Sequence, residues 1–433
     1  MTARPWRRAL AWLAGLAPFF YLSYGLANHL AAARASVPSV VFDWEHQIPF
    51  WDWTIFPYWS VNVFYGLSLL LARNRHELDR HGARLLTAQC IAVLCFVAMP
   101  LHFSFGQPEA QGLAGALFAA LRGFDQPFNQ APSLHIALAV ILWDLYRRLI
   151  HGRFARLVLH GWTLAICASV LTTWQHHFID IPTGALLGVF CVWAWPLERR
   201  VAMVQAWRPT AESRRRALAA RYGVGALLIG AVALGLGGAS LWLVWPAVSC
   251  ALVALNYAGF GARGFQMDRQ GRMAWPARLL LAPYRAAASL NGRWWTRSLP
   301  PLREVLPGVS VGSLSRLAEV TLPRSTLVSL CAELQAPAPG RCLCQPWLDL
   351  VPATPLALRR AAMTIDRAVH HGDPVIVGCA LGFSRSVAAL ACWLARSGRV
   401  RDADEALAQL RQAHPQMVLG DDWLLALRKA VLL

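Results

Sequence analysis

Up to about residue 262 the chain is divided into apolar runs of membrane-crossing length, joined by short segments rich in arginine. In lipid, a run of ~20 apolar residues must become a helix, because only a helix satisfies its own backbone there. The runs fall near 9–30, 54–72, 86–104, 133–150, 157–174, 178–197, 222–238 and 240–261. They predict a polytopic α-helical membrane domain over 1–262 with about eight spans. The first run follows Arg7 and Arg8 and has no small-residue cleavage site, so it reads as an uncleaved helix rather than a signal peptide. Composition agrees. The chain is 56% hydrophobic and 15% charged, against about 45–50% and 25% for a soluble domain. Disorder, a collagen-like fibre and a small disulfide scaffold are excluded.

Lysine plus arginine total 41 and aspartate plus glutamate 23, a net charge of +18. Such an excess suggests nucleic acid or an anionic membrane surface. Mapped onto the runs, the arginines alternate. Arg4, Arg7 and Arg8 precede the first. Arg73, Arg75, Arg80 and Arg84 follow the second, and Arg147, Arg148, Arg153 and Arg156 the fourth. Arg199, Arg200, Arg208, Arg214, Arg215, Arg216 and Arg221 follow the sixth. The opposite loops hold only Arg34 and Arg122, beside Asp43, Glu45, Asp52, Glu109 and Asp125. The positive-inside rule places the N-terminus in the cytoplasm, and eight spans return the chain there. The expected location is a bacterial inner (plasma) membrane with both termini cytoplasmic. Topology accounts for the arginines, so no nucleic-acid partner is expected.

Beyond residue 262 the texture changes. Residues 263–299 are basic and carry Trp275, Trp294 and Trp295, which suits a juxtamembrane linker on an anionic leaflet or a solvated connector. Residues 300–433 have shorter apolar runs, scattered acids and turn residues, the pattern of one soluble domain. None of the ten cysteines falls in a predicted outer loop, so reduced thiols are expected. Cys342 and Cys344 lack a second pair for zinc, and no metal or cofactor is expected.

Two outer-side segments concentrate ionisable groups at the membrane boundary, where such groups are costly and mark function. One is Pro132-Ser133-Leu134-His135. The other runs from Ser169 to Asp180 and contains His176 and His177. His176 and Asp180 share a helical face. A carboxylate beside an imidazole fixes its tautomer and raises its basicity, which prepares the other ring nitrogen to attack phosphorus. His135 would protonate the leaving alcohol.

These residues resemble the motifs of the type 2 phosphatidic acid phosphatase superfamily over roughly 40–200, a six-helix phosphatase-like core. Pro132, Ser133 and His135 match its second motif. Ser169, His176 and Asp180 match its third, with Val170 where the family has arginine. The resemblance implies His176 as nucleophile, Asp180 as its partner and His135 as acid, with Ser133 and Ser169 at the substrate. His177 stands where a tyrosine is common and is the second choice of nucleophile. The family's first-motif lysine is missing, so Arg122 is nominated to hold phosphate, with Asp125 and Asn129 lining the site. The missing cations look more like the inositol-phosphorylceramide and sphingomyelin synthase branch, which transfers head groups between lipids.

In the soluble part, residues 374–386 read PVIVGCALGFSRS. Pro374–Val377 predicts a buried strand, Cys379–Arg385 a glycine-containing loop, and Ser386 to about Arg396 an apolar helix. Strand, loop and helix N-terminus make an anion site. Backbone N–H groups around Gly382 and Ser384, with Arg385, would cradle phosphate and favour the Cys379 thiolate. The loop resembles the Cys-x5-Arg loop of dual-specificity phosphatases, with Gly378 in place of their histidine. That resemblance spans about 300–433 and implies a C-terminal α/β fold and a phosphocysteine intermediate. It also implies Asp349 as the acid and Ser386 as an aid to thiolate release. Asp366 falls in a predicted helix, 355–371, and Asp373 is too close to the strand.

The expected whole is a bifunctional membrane phosphatase. An outer site would act on a phospholipid or polyprenyl phosphate, and a cytoplasmic site on a phosphorylated head group, small molecule or protein. The alternative is a cytoplasmic protein phosphatase with a degenerate membrane sensor.

Overall fold

The computed structural model describes residues 4–199, 201–320, 325–337 and 341–433. Arg200, one of the basic loop residues above, lies outside them. The chain forms two compact units, Met1–Ala206 with Ile229–Trp245, and Trp207–Leu228 with Pro246–Leu433.

The first unit is helical. It contains α1 (Trp6–Ala32), α2 (Ile55–Leu70), α3 (Arg75–Ala98), α4 (Gly112–Arg122), α5 (Leu134–Leu149), α6 (Arg153–Thr172) and α7 (Asp180–Ala194). The next helix, α8 (Ser213–Leu236), begins in the second unit and ends in the first. Among the described residues, five helical segments are long and apolar enough to cross a membrane: Trp6–Ala32, Arg75–Ala98, Arg153–Thr172, Ser213–Leu236 and Gly238–Phe265. The runs expected at 54–72, 133–150 and 178–197 form α2, α5 and α7, which hold 16, 16 and 15 residues. These are shorter than the ~20 of a full crossing.

α5 and α7 approach closely because α7 carries Gly184 and Gly188 at GxxxG spacing. A Cβ on Gly184 would lie 2.4 Å from the Ser133 carbonyl oxygen, and one on Gly188 2.7 Å from that of Ala137. α3 begins well before the expected 86, so Arg75, Arg80 and Arg84 are helical rather than loop residues. Arg84 is fully buried, its Nη1 2.9 Å from Asp144 Oδ2 on α5. Arg147 and Arg148 approach the same carboxylate at 2.7 and 3.4 Å. A buried arginine holds its charge only with such partners.

α9 (Val244–Leu255) starts at the end of the first unit and continues in the second, which adds a π-helical turn at Asn256–Phe260, α10 (Trp275–Leu280) and α11 (Ala282–Thr296). An α/β domain follows: β1 (Leu302–Leu306), β2 (Val309–Ser313), β3 (Thr326–Cys331), β4 (Arg341–Trp347), α12 (Pro355–His370), β5 (Val375–Cys379), α13 (Arg385–Arg396), α14 (Ala403–Ala413) and α15 (Asp421–Leu432). The sheet order is β1-β2-β5-β3-β4, with β1 antiparallel to β2 and the other pairs parallel. β3 and β5 are buried at every residue, as continuous apolar runs in parallel sheets require. α12 starts where Thr354 Oγ1 accepts the Ala357 N–H, with Pro355 opening the helix.

The segment expected as a linker, 263–299, contains α10 and α11. α11 packs closely at Gly292, where a Cβ would lie 2.6 Å from Ser315 Oγ and 3.7 Å from the Ala380 carbonyl oxygen. Arg293 Nε donates to the Ser315 carbonyl oxygen at 3.1 Å. The helix is thereby held against the segment that follows Cys379.

Candidate active sites

Cys379 ends β5, and Arg385 opens α13, so the connecting loop must turn within five residues. Gly382 supplies the turn with φ of +86°, a conformation that a Cβ disfavours. Its N–H points at Cys379 Sγ, 3.2 Å away. Its carbonyl oxygen lies 3.2 Å from His414 Nε2. Ser384 is the residue before α13 and makes no side-chain cap. Ser386 is fully buried, and its hydroxyl has no partner among the described residues.

Arg385 is 2% exposed and is fixed by acids. Nη1 is 3.0 Å from Glu333 Oε2, and Nη2 contacts Glu333 Oε1. Nη1 also donates to the Trp347 carbonyl oxygen at 3.0 Å. Asp349 completes the group, its Oδ1 3.0 Å from Nη2. Burial would raise the Glu333 carboxyl, but the guanidinium outweighs it and holds the group below the usual carboxylate range. Asp349 goes the other way. Burial raises it, the neighbouring Glu333 charge adds to the rise, and Arg385 opposes both without cancelling them. Two carboxyls on one guanidinium are thus driven in opposite directions. The structure brings Asp349 to Arg385 on the loop that follows Cys379, and adds Glu333, which the sequence reading does not include. The available signal was a lone acid just past the buried strand run Thr326–Cys331, where an unpaired charge is costly.

In the helical unit, Ser133, His176 and Asp180 come together. His176 Nδ1 is 3.1 Å from Asp180 Oδ2, and Nε2 is 3.2 Å from Ser133 Oγ. A carboxylate accepting at Nδ1 puts the ring proton there and leaves the Nε2 lone pair outward. Ser133 caps α5, its Oγ accepting the Ile136 N–H. The close α5–α7 approach at Gly184 lets these two segments meet. His176 lines a cavity of ≈ 260 Å³ together with His135, Asp125, Tyr24 and Tyr58. Ser133 does not line it. His135 stacks on Tyr58 with ring centres 4.0 Å apart, and its Nε2 has no hydrogen-bond partner among the described residues. Asp125 accepts from Tyr24 Oη at 2.9 Å, and burial pushes its carboxyl up to about 6.

Several expected site residues lie elsewhere. His177 is buried with both ring nitrogens engaged. Nε2 accepts the Ser104 N–H at 3.2 Å, so Nδ1 carries the proton and donates to Glu45 Oε2 at 3.0 Å. It is not among the residues that line the cavity. Glu45, read from sequence only as an outer acid, also accepts the Phe42 and Phe178 N–H groups. Burial works against its charge, yet these donors and the His177 ring hold it below the usual carboxylate range. Arg122 is exposed at the end of α4, 3.4 Å from Gln107 Oε1, and is not in the cavity wall. Ser169 turns its hydroxyl back to the Ile166 carbonyl oxygen. Asn129 is buried and donates to the Tyr24 carbonyl oxygen. Val170, at the family's arginine position, packs in an apolar cluster with Ile55, Tyr58, Phe118 and Ile136. No lysine or arginine is among the described residues lining this cavity.

Residues 54–194 match the family model described as the PAP2 superfamily. Among solved structures, Tk-PTP in its active form is 21% identical with a TM-score of 0.28, covering 30% of this chain and 97% of its own. Human DUSP28 is 26% identical with a TM-score of 0.26, covering 30% of this chain and 93% of its own.

Proposed function

We propose that the chain is a bifunctional membrane phosphatase. The domains are 1–262, with the histidine site in a core of about 40–200, a connector 263–299, and a cysteine phosphatase over 300–433. Eight spans, with α2, α5 and α7 as short crossings, put both termini in the cytoplasm of a bacterial inner membrane. The PAP2 match supports the first activity. The observation that carries the second is the Cys379–Arg385 loop with a burial-raised Asp349 on its guanidinium.

At the cysteine site, substrate phosphate displaces the Asp349 carboxyl from Arg385. The Cys379 thiolate attacks phosphorus, the bond to the leaving oxygen breaks, and Asp349 gives that oxygen its proton. Glu333 holds the guanidinium in place. Water then attacks the phosphocysteine, returns a proton to Asp349 and releases phosphate. Ser386 supports the departing thiolate. Phosphorylated lipid head groups or small phosphates are the expected substrates.

At the outer site, His176 Nε2 attacks phosphorus, Asp180 stabilises the ring, and His135 protonates the leaving alcohol. Water or a second lipid hydroxyl then takes the phosphoryl group from the histidine and leaves its proton on His135. A cavity wall without cations is poorly suited to a phosphomonoester dianion. It favours a phosphodiester, and with it cleavage or transfer of a phosphorylated head group. The same observation, with Val170 in the place of arginine, favours a second reading in which the helical unit is a sensor. Lipid profiles of a deletion strain complemented with wild type or His176→Ala test this. A lipid that changes with His176→Ala supports the enzyme, and identical profiles favour the sensor.

A further inference from the structure

On α8, Arg214, Ala217, Leu218 and Arg221 recur at helical spacing and share one face. With Leu350 they line a cavity of ≈ 440 Å³. Leu350 directly follows Asp349 and has φ of +58°, which is costly for a bulky side chain. It is nevertheless 52% exposed, so its own burial does not explain the strain. The adjacent Asp349 carbonyl oxygen is held by Tyr257 Oη at 3.0 Å. The loop bearing the proton donor is therefore pinned at Asp349 and turns its next residue into a basic cavity. Neither arginine serves packing, since both are exposed. Arg214 makes one exposed pair, Nη1 to Asp422 Oδ2 at 3.1 Å, of a kind worth little. Arg221 makes no ion pair among the described residues.

We propose that Arg214 and Arg221 form a subsite for a second anionic group, phosphate or carboxylate, on the substrate whose phosphomonoester is cleaved at Cys379. The inference rests on the cysteine-phosphatase reading and narrows its substrates to molecules with two separated anionic groups. A singly phosphorylated, otherwise neutral molecule leaves the two guanidiniums unused. The arginine stripe occupies the opening turns of a helix long and apolar enough to cross a membrane. That position favours an anionic lipid head group over a soluble bisphosphate of the same chemistry.

The test uses the full chain in phosphatidylcholine vesicles with three probes. These are p-nitrophenyl phosphate, a soluble inositol bisphosphate, and a phosphatidylinositol monophosphate in the vesicle. The Arg214→Gln/Arg221→Gln protein should lower kcat/KM for the doubly anionic probes, relative to p-nitrophenyl phosphate, by about tenfold, mainly through KM. Replacing both by Lys should restore most of it. A larger loss on the vesicle-borne probe assigns the subsite to lipid, and an equal loss assigns it to the anion whatever its carrier. Normal p-nitrophenyl phosphate turnover with an unchanged ratio would overturn the subsite alone, as would a Lys pair as impaired as the Gln pair. No turnover of any probe by the wild-type protein would overturn the cysteine-phosphatase reading, and the subsite with it.

Discussion

Arg385 holds two carboxyls whose proton affinities are driven in opposite directions, and the proposed mechanism uses that difference. Asp349 keeps its proton to higher pH than an ordinary aspartate, because burial outweighs the guanidinium. The proposed mechanism needs that proton, so the basic limb of kcat/KM should lie above the usual carboxylate range. Asp349→Asn should remove the limb and lower kcat by about 10²-fold or more in a pH–rate profile. Glu333 is ionised and buried against Arg385. Glu333→Gln leaves a buried guanidinium short of its main counter-charge and should cost about 3–5 kcal/mol in thermal or denaturant unfolding. Its folded carboxyl is held low, so its contribution is present above the unfolded value of about 4.3 and is lost as pH falls through the folded value. The gathering of Cys379, Arg385 and Asp349 was legible because the Cys-x5-Arg spacing sets the first two on one loop and the resemblance sets an acid beside it. Glu333 was not, because a lone acid beyond a strand carries no spacing that names its partner. Residue type and sidedness do not say that His177 has both ring nitrogens engaged, or that Arg122 lies outside the cavity wall.

The histidine site depends on two helices approaching within a glycine's reach. Gly188→Leu would set a side chain against the Ala137 backbone and Val140 and force α5 from α7, parting Ser133 from His176. The expected result is loss of His176-dependent lipid turnover and a lower melting temperature, while Cys379-dependent hydrolysis continues in the same preparation. Spared lipid turnover would show that the approach is not required. The apolar runs marked the helices near their observed places, because ~20-residue hydropathy is a coarse and additive signal. α4 was not seen, since it is short and lies in what reads as an outer loop. The start of α3 was misjudged because arginines mark a helix end in lipid, whereas Arg84 enters the bundle on Asp144. The Gly184–Gly188 spacing was on the page, but its meaning depends on which helix stands opposite.

At the scale of the whole molecule, the proposal gives the chain two phosphoryl-transfer constellations built from different chemistry. One is imidazole with carboxylate in a helical unit, and the other is thiolate with guanidinium in an α/β domain. The net charge of +18 resolves accordingly. Most arginines of the first part follow the alternation of its runs, Arg84 pairs with Asp144 inside the helical unit, and Arg385 pairs with Glu333 and Asp349 beside Cys379. The most direct test is to assay wild type, His176→Ala and Cys379→Ser as full chains in vesicles, following p-nitrophenyl phosphate and head-group-labelled phospholipids together. Two independent sites predict that Cys379→Ser abolishes p-nitrophenyl phosphate hydrolysis while lipid head-group release or transfer continues, and that His176→Ala does the reverse. Loss of both activities in either variant, or p-nitrophenyl phosphate hydrolysis that survives Cys379→Ser, would contradict the account.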